Sequence, residues 1–224
     1  MRDRGGARRS AGASGDRSAR RSGSAGNDAQ PSLRPALFLD RDGVINVEVN
    51  YLHRPDDVVL VPGVAHAIAQ ANAFEIPVIV ITNQAGIARG KYGLADLAAV
   101  GQRIDQLLGA ATIDATYHCP HHPDGTVAEL RIECECRKPS PGMLLQAAAE
   151  HGLDLANSIF VGDKDSDLSA ARAAGCGAVL VRTGYGAQVE RELGTDHPLY
   201  DQIFDSLVDA MPYILMRLRL PLQA

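Results

Sequence analysis

The sequence of 224 residues predicts an α/β protein built on a Rossmann-like, doubly wound parallel sheet. Three observations lead there. From Pro35 onward, short apolar runs alternate with helical patterns, as in successive βαβ units. Three of the apolar runs end on a residue able to act on phosphate or metal: Leu39 leads into Asp40, Ile81 into Thr82, and Val161-Gly162 into Asp163. In an open parallel sheet such residues meet in the crevice beyond the carboxyl ends of the strands. The composition, 46% apolar and 22% charged, is that of an ordinary globular domain, which excludes wholesale disorder and a fibrous architecture.

Taken in order, the elements begin after a distinct tail. Residues 1–34 carry eight arginines against three aspartates, so a net charge of -5 for the whole chain conceals a basic start and an acidic body. Mostly Arg, Ser, Gly and Ala, this tail has almost nothing apolar to offset the entropy of ordering, and it reads as disordered. It also resembles an organellar transit peptide, and a basic arm of this kind can hold nucleic acid; the plainer reading, an inert or misassigned extension, is favoured over both. One domain over 35–224 follows. Strands are expected at Ala36–Leu39, Val78–Ile81, Ser158–Val161 and Ala178–Val181, with a weaker one at Ile113–Tyr117. Helices are expected at Gly63–Phe74, Leu94–Leu108, Pro141–His151, Asp165–Ala174 and Tyr200–Leu215. No stretch reaches the ~20 apolar residues a spanning helix needs and no apolar leader opens the chain, so a cytoplasmic protein without membrane contact is the expectation.

The run Asp40-Arg41-Asp42-Gly43 sits at the first strand end. Alone, two aspartates at i, i+2 could be solvated turn residues. Behind an apolar strand, and followed by a glycine that frees the backbone, they suit phosphoryl transfer better. Asp40 can attack phosphorus to form an aspartyl-phosphate, and Asp42 can protonate the leaving oxygen and then activate water. Two anions facing a phosphate require a hard cation, and magnesium, with its preference for oxygen ligands, fits best. The run Val161-Gly162-Asp163-Lys164-Asp165-Ser166-Asp167 supplies further carboxylates, although helix N-capping explains Asp165 or Asp167 equally well. Thr82-Asn83-Gln84 offers hydroxyl and amide donors, and Lys138 a compact cation for phosphoryl oxygens; each has the plain alternative of a turn or surface residue.

Three of the four cysteines cluster with histidines, in Cys119-Pro120-His121-His122 and Cys134-Glu135-Cys136. Two short ligand pairs separated by a loop can close a tetrahedral Cys₃His site, and a site with no open position is structural. A disulfide is the competing reading, which leaves the histidine unexplained. His118, His121 and His122 compete for the fourth position; Cys-x-His mirrors Cys-x-Cys and favours His121, with His122 next. Zinc is the expected ion. The fourth cysteine, Cys176, suits packing against the sheet.

The order Asp-x-Asp-Gly, strand-end Thr-Asn, Lys-Pro, then Gly-Asp-x-x-x-Asp resembles the haloacid dehalogenase superfamily of phosphohydrolases, and covers nearly everything from Leu37 to Thr183. The resemblance implies Asp40 as nucleophile, Asp42 as general acid/base, and Thr82 and Lys138 as phosphoryl stabilisers. It also implies magnesium held by the Asp40 side chain, the Asp42 carbonyl and Asp163. The cysteine insert is similar to that of the zinc-bearing branch, which holds heptose bisphosphate and histidinol-phosphate phosphatases. The long segment from His121 to Cys134, with Asn50-Tyr51-Leu52 and the Gln84–Gly90 turn, looks like the heptose group. That likeness implies removal of the 7-phosphate of a heptose bisphosphate on the way to lipopolysaccharide core, with the sugar bisphosphate as partner. The stretch between Asp42 and Pro62 is too short for a large cap, so a minimal cap is expected, and a monomer. Substrate contacts are then expected from Glu48, Val49, Asn50 and Tyr51, from Asn83, Gln84 and Ala85, and from Arg137 and Lys164. Arg137 can grip a second phosphate bidentately. The alternatives are a histidinol-phosphate phosphatase and, in another class, a zinc-stapled nucleic-acid-binding module that uses the Arg-rich tail.

Overall fold

The computed structural model describes residues 33–194 and 196–219. The tail expected to be disordered falls outside the described residues up to residue 32. Arg34, at its end, already belongs to the domain: its backbone N–H donates to Gly152 O at 3.3 Å, and its carbonyl accepts from Asp154 N at 2.9 Å.

Six parallel strands form one sheet: β1 Leu37–Leu39, β2 Val78–Asn83, β3 Ala115–Cys119, β4 Ile159–Gly162, β5 Gly177–Val181 and β6 Gln202–Phe204. Their order is β3-β2-β1-β4-β5-β6, so the order reverses beside β1, where an α/β sheet opens its crevice. The helices are α1 Val64–Ala73, α2 Ala85–Ala88, α3 Leu94–Leu108, α4 Gly142–His151, α5 Asp165–Ala174, α6 Gly186–Leu193 and α7 Leu207–Arg219.

Alternation along the strands sorts the core into two layers. Leu37, Leu39, Val78, Val80, Val161 and Val179 face α1, α3 and α7. Phe38, Ile79, Ile81, Phe160, Ala178 and Leu180 face α4, α5 and α6. Both faces are covered, which is why β1, β2, β4 and β5 read as unbroken apolar runs rather than alternating ones. Fully burying a side chain of this kind contributes about 1.5–3 kcal/mol. Cys176 is buried in the second layer, as expected of a small apolar residue.

Two expectations are corrected. The helix placed over Tyr200–Leu215 starts only at Leu207, because Gln202–Phe204 pairs with β5 as the edge strand β6. Ser206 and Asp209 exchange side-chain contacts at its start, and the helix runs on to Arg219. The weak strand at Ile113–Tyr117 lies two residues later, at Ala115–Cys119, with the half-exposed alternation of a sheet edge. α2 and α6, which the sequence did not suggest, are short connections. No helix among the described residues is long and apolar enough to cross a membrane.

Candidate active site and metal sites

The carboxyl ends of β2, β1 and β4 deliver Thr82, Asp40 and Asp163 side by side, so the three strand-end residues singled out in the sequence are neighbours. Asp40 is fixed at both backbone and side chain: its N–H donates to Val161 O at 3.0 Å, and its Oδ1 accepts from Arg41 N at 2.8 Å. Gly43 follows with φ of +91°. A side chain there would collide with the Asp163 carboxylate, as would one at Gly184. Both turns close over Asp163 because neither carries a Cβ.

Lys138 enters from the loop after the cysteine insert and is almost completely buried. Its Nζ lies 2.9 Å from Asp40 Oδ1 and 2.7 Å from Asp167 Oδ1, and donates to Ile81 O at 2.8 Å. Asn83 holds the same segment through a reciprocal pair, Asn83 Nδ2 to Lys138 O at 3.0 Å and Lys138 N to Asn83 Oδ1 at 3.1 Å. Burial works against the charge of Lys138, but Asp167 and Asp40 outweigh it and raise its proton affinity. Asp167 also caps α5, accepting from Asp163 N and Lys164 N at its Oδ2. Capping accounts for one oxygen of Asp167 and the Lys138 ion pair for the other; the sequence suggested the first role alone.

Asp40, Asp163 and Asp167 bring carboxylate oxygens within 4.8 Å of one another, and Lys138 is in ion-pair contact with two of them. Burial, then repulsion from Asp167, pushes the Asp40 carboxyl up to about 6, with Lys138 pulling the other way. Burial and repulsion from Asp40 push Asp163 up to about 8. Asp163 Oδ2 accepts from Tyr185 N at 2.8 Å, while its buried Oδ1 has no hydrogen-bond partner. A buried, unpartnered carboxylate oxygen beside two further carboxylates suits a hard divalent cation such as magnesium.

Asp42 faces a different set of partners. Arg41 Nη2 meets its Oδ2 at 2.8 Å, Asn46 Nδ2 donates to Oδ1 at 2.9 Å and Gln84 Nε2 to Oδ2 at 3.1 Å. Burial opposes its ionisation, yet Arg41 and these donors prevail and hold the carboxyl below its usual range. Thr82 is buried, with its Oγ1 accepting from Gln84 Nε2 at 2.8 Å. Arg41 was given no role by the sequence, because adjacency to two aspartates does not say which of them a side chain turns toward.

A polar cavity of about 190 Å³ opens beside Asp42. Glu48, Val49, Asn50, Tyr51, Asn83, Gln84, Ala85 and Lys164 all line it, together with Tyr92 and Tyr185. Lys164 Nζ meets Glu48 Oε2 at 2.9 Å and sits over the Tyr185 ring. Glu48 is thus the counter-ion of Lys164. Arg137 lies elsewhere: with Lys138 it lines a neighbouring cavity of about 460 Å³, and its Nη1 donates to His121 O at 3.3 Å.

Cys119, His121, Cys134 and Cys136 converge. Cys119 Sγ is 3.5 Å from Cys134 Sγ and 3.2 Å from Cys136 Sγ, and His121 Nδ1 is 3.3 Å from Cys136 Sγ. These separations exclude a disulfide, whose sulfurs lie about 2.05 Å apart. They approach the edges of a tetrahedron of sulfurs about 2.3 Å from a central ion. Of the competing histidines, His121 turns a ring nitrogen into the cluster, whereas His122 turns to Arg89 and His118 is exposed near the end of β3.

A family model described as HAD-hydrolase-like matches residues 135–210. D-glycero-beta-D-manno-heptose-1,7-bisphosphate 7-phosphatase of Yersinia pestis is 45% identical over 165 residues, 72% of this chain and 88% of the relative. The enzyme of that name from Escherichia coli K12 is 42% identical over 192 residues, 84% of this chain and 97% of the relative. Among solved structures, D,D-heptose 1,7-bisphosphate phosphatase from B. bronchiseptica, complexed with magnesium and phosphate, superposes with a TM-score of 0.73 at 34% identity. That match covers 81% of this chain and 98% of the other. On these grounds the chain belongs to the haloacid dehalogenase-like hydrolases, within the family of heptose-1,7-bisphosphate 7-phosphatases.

Proposed function

We propose that this protein hydrolyses the 7-phosphate of D-glycero-D-manno-heptose 1,7-bisphosphate through a phosphorylated Asp40. The observation that carries the chemistry is the group of Asp40, Asp163 and Asp167 around Lys138 at the opening of the sheet. An Asp40 oxygen attacks phosphorus in line with the sugar oxygen; the new bond to Asp40 forms as the bond to the sugar breaks. Asp42 gives its proton to the departing sugar oxygen. It then takes a proton from water, whose oxygen attacks the phosphorus and releases Asp40 and inorganic phosphate. In the free enzyme Arg41 holds Asp42 ionised, and an arriving phosphate dianion raises its proton affinity by like-charge repulsion. Lys138 and Thr82 stabilise the phosphoryl oxygens as charge builds on them.

Asp40, the Asp42 carbonyl and Asp163 would hold magnesium, which supplies charge neutralisation between nucleophile and phosphate. The Cys119, His121, Cys134 and Cys136 site would hold zinc in a structural role, fixing Arg137 and Lys138 immediately after Cys136. The polar cavity takes the sugar, with Glu48–Tyr51, Asn83–Ala85 and Lys164 as its contacts. Arg137 takes the second phosphate. The reading carries with it a cytoplasmic location and a monomeric enzyme.

Phosphate release by the purified protein from the heptose bisphosphate and from histidinol phosphate, with magnesium present, tests the assignment. At least a tenfold higher kcat/KM for the heptose bisphosphate is expected, about 1.4 kcal/mol of discrimination. Asp40→Asn serves as the inactive control. A preference for histidinol phosphate overturns the choice of substrate.

A further inference from the structure

The turn at Ala85–Gly90 stands between the metal-binding loop and the sugar cavity, and touches both. On one side, Ala88 O accepts from Thr126 N at 2.8 Å and from Val127 N at 2.9 Å, so the long segment between His121 and Cys134 is docked on the turn. On the other side, Arg89 Nη1 donates to Tyr51 Oη at 2.5 Å. The same guanidinium brings Nη2 to 3.2 Å from His122 Nε2, which accepts in the tautomer with its proton on Nδ1. Asp124 N also donates toward His122 Nδ1 at 3.0 Å, and a neutral imidazole accepts at one nitrogen, so the Arg89 and Asp124 contacts belong to alternative tautomers.

Tyr51 lines the sugar cavity with φ of +62°, the left-handed region in a residue other than glycine. Such a conformation persists only where the surroundings over-determine it. The Arg89 contact ties the tyrosine ring to a turn that is itself held, by Arg89 N donating to Ala85 O and by Thr126 N and Val127 N donating to Ala88 O. Arg89 does not line the cavity and lies outside the acid and metal groups, so it has no contact with the reacting atoms.

We propose that Arg89 is a positioning residue that sets Tyr51 as a wall of the sugar cavity and ties that wall to the metal-binding loop. Recognition of the substrate beyond its transferred phosphate then depends on a residue that never touches it, and loosening of the loop reaches the sugar cavity as well as Arg137. A planar guanidinium with two donors in a fork suits the bridging position; a lysine ammonium reaches one partner.

The proposal rests on the heptose bisphosphate as substrate, and the test separates the two. Steady-state kinetics of the full-length, metal-loaded protein are measured for the wild type, Arg89→Ala, Arg89→Lys, Tyr51→Phe and the Arg89→Ala/Tyr51→Phe double variant. Two substrates are used: the heptose bisphosphate and 4-nitrophenyl phosphate, which presents no sugar to Tyr51. Arg89→Ala is expected to raise KM for the sugar bisphosphate about tenfold with kcat within about twofold, and to leave kcat/KM for the nitrophenyl ester unchanged. Arg89→Lys recovers part of the loss, and the double variant is no worse than Arg89→Ala. Equal losses on both substrates, no loss on either, or additive losses in the double variant overturn it. A wild-type protein that turns over the nitrophenyl ester but not the sugar bisphosphate overturns the substrate reading, visibly before any substitution is made, and the Arg89 proposal with it.

Discussion

With Lys138 set between Asp40 and Asp167, one ammonium pairs with two of three buried carboxylates, while Asp163 feels the charge of Lys164 without an ion-pair contact and keeps one oxygen without a hydrogen-bond partner. The consequence can be followed through pH. Asp40 and Asp163 bind protons more tightly in the folded chain, near 6 and 8, than at their ordinary 3.8. Without magnesium, their contribution to stability is therefore fully present below about pH 4, and is lost as pH rises through 6 and then 8. A cation entering among them displaces those protons, so its stabilising effect grows in the same direction. Melting curves of the magnesium-free protein, with and without added magnesium, should show a small gain in Tm near pH 5 and a larger one near pH 8. A gain independent of pH would mean that the ion binds away from these carboxylates. That Asp40, Thr82 and Asp163 meet was legible because strand ends mark them, whereas Lys138 was one candidate cation among surface lysines until the family resemblance pointed to it. The Arg41 contact with Asp42 and the Asp167 ion pair with Lys138 were not legible, since they depend on which neighbour the side chain turns toward.

The cysteine insert is an element held by its own ligand atoms rather than by a core. Between Cys119 and Cys134 it contributes one short helical turn at Ala128–Leu130, with no buried residue in it. Arg137 and Lys138 follow directly from Cys136, so the position of the buried Lys138 ammonium is tied to the cluster. Cys134→Ala should lower kcat/KM by about 10- to 100-fold, the range found when groups supporting a metal site are removed. It should also speed hydrogen exchange across 119–136 while leaving the central strands protected. Absence of stoichiometric zinc from the pure protein, or unchanged exchange in the variant, would remove the basis for this. The sequence announced the insert by its ligand spacing, a short-range signal. It was silent on β6, because three half-exposed residues at a sheet edge carry no apolar run and become a strand only when β5 is there to pair with.

At the scale of the whole molecule, the acidic body and the basic tail are separate in composition, and every residue of the carboxylate cluster, the cysteine cluster and the polar cavity lies between Asp40 and Tyr185. A chain beginning at Leu33 should keep kcat and KM within about twofold of the full-length protein, as for changes far from a site. Loss of turnover on that truncation would favour the reading in which the tail is the working part. The fold class was legible because both sheet faces are covered, which makes the inner strands apolar throughout. The order of the strands was not, since pairing between distant segments leaves no mark in any one of them. That order has a further consequence. Asp40 and Asp163 stand on hydrogen-bonded neighbours, β1 and β4, yet more than half the chain separates them in sequence. The enzyme is therefore indivisible in a way its modest size does not suggest. No contiguous piece lacking either strand can hold both carboxylates, so a stable proteolytic core or an independently inherited half could keep the fold's layers and still have no chemistry.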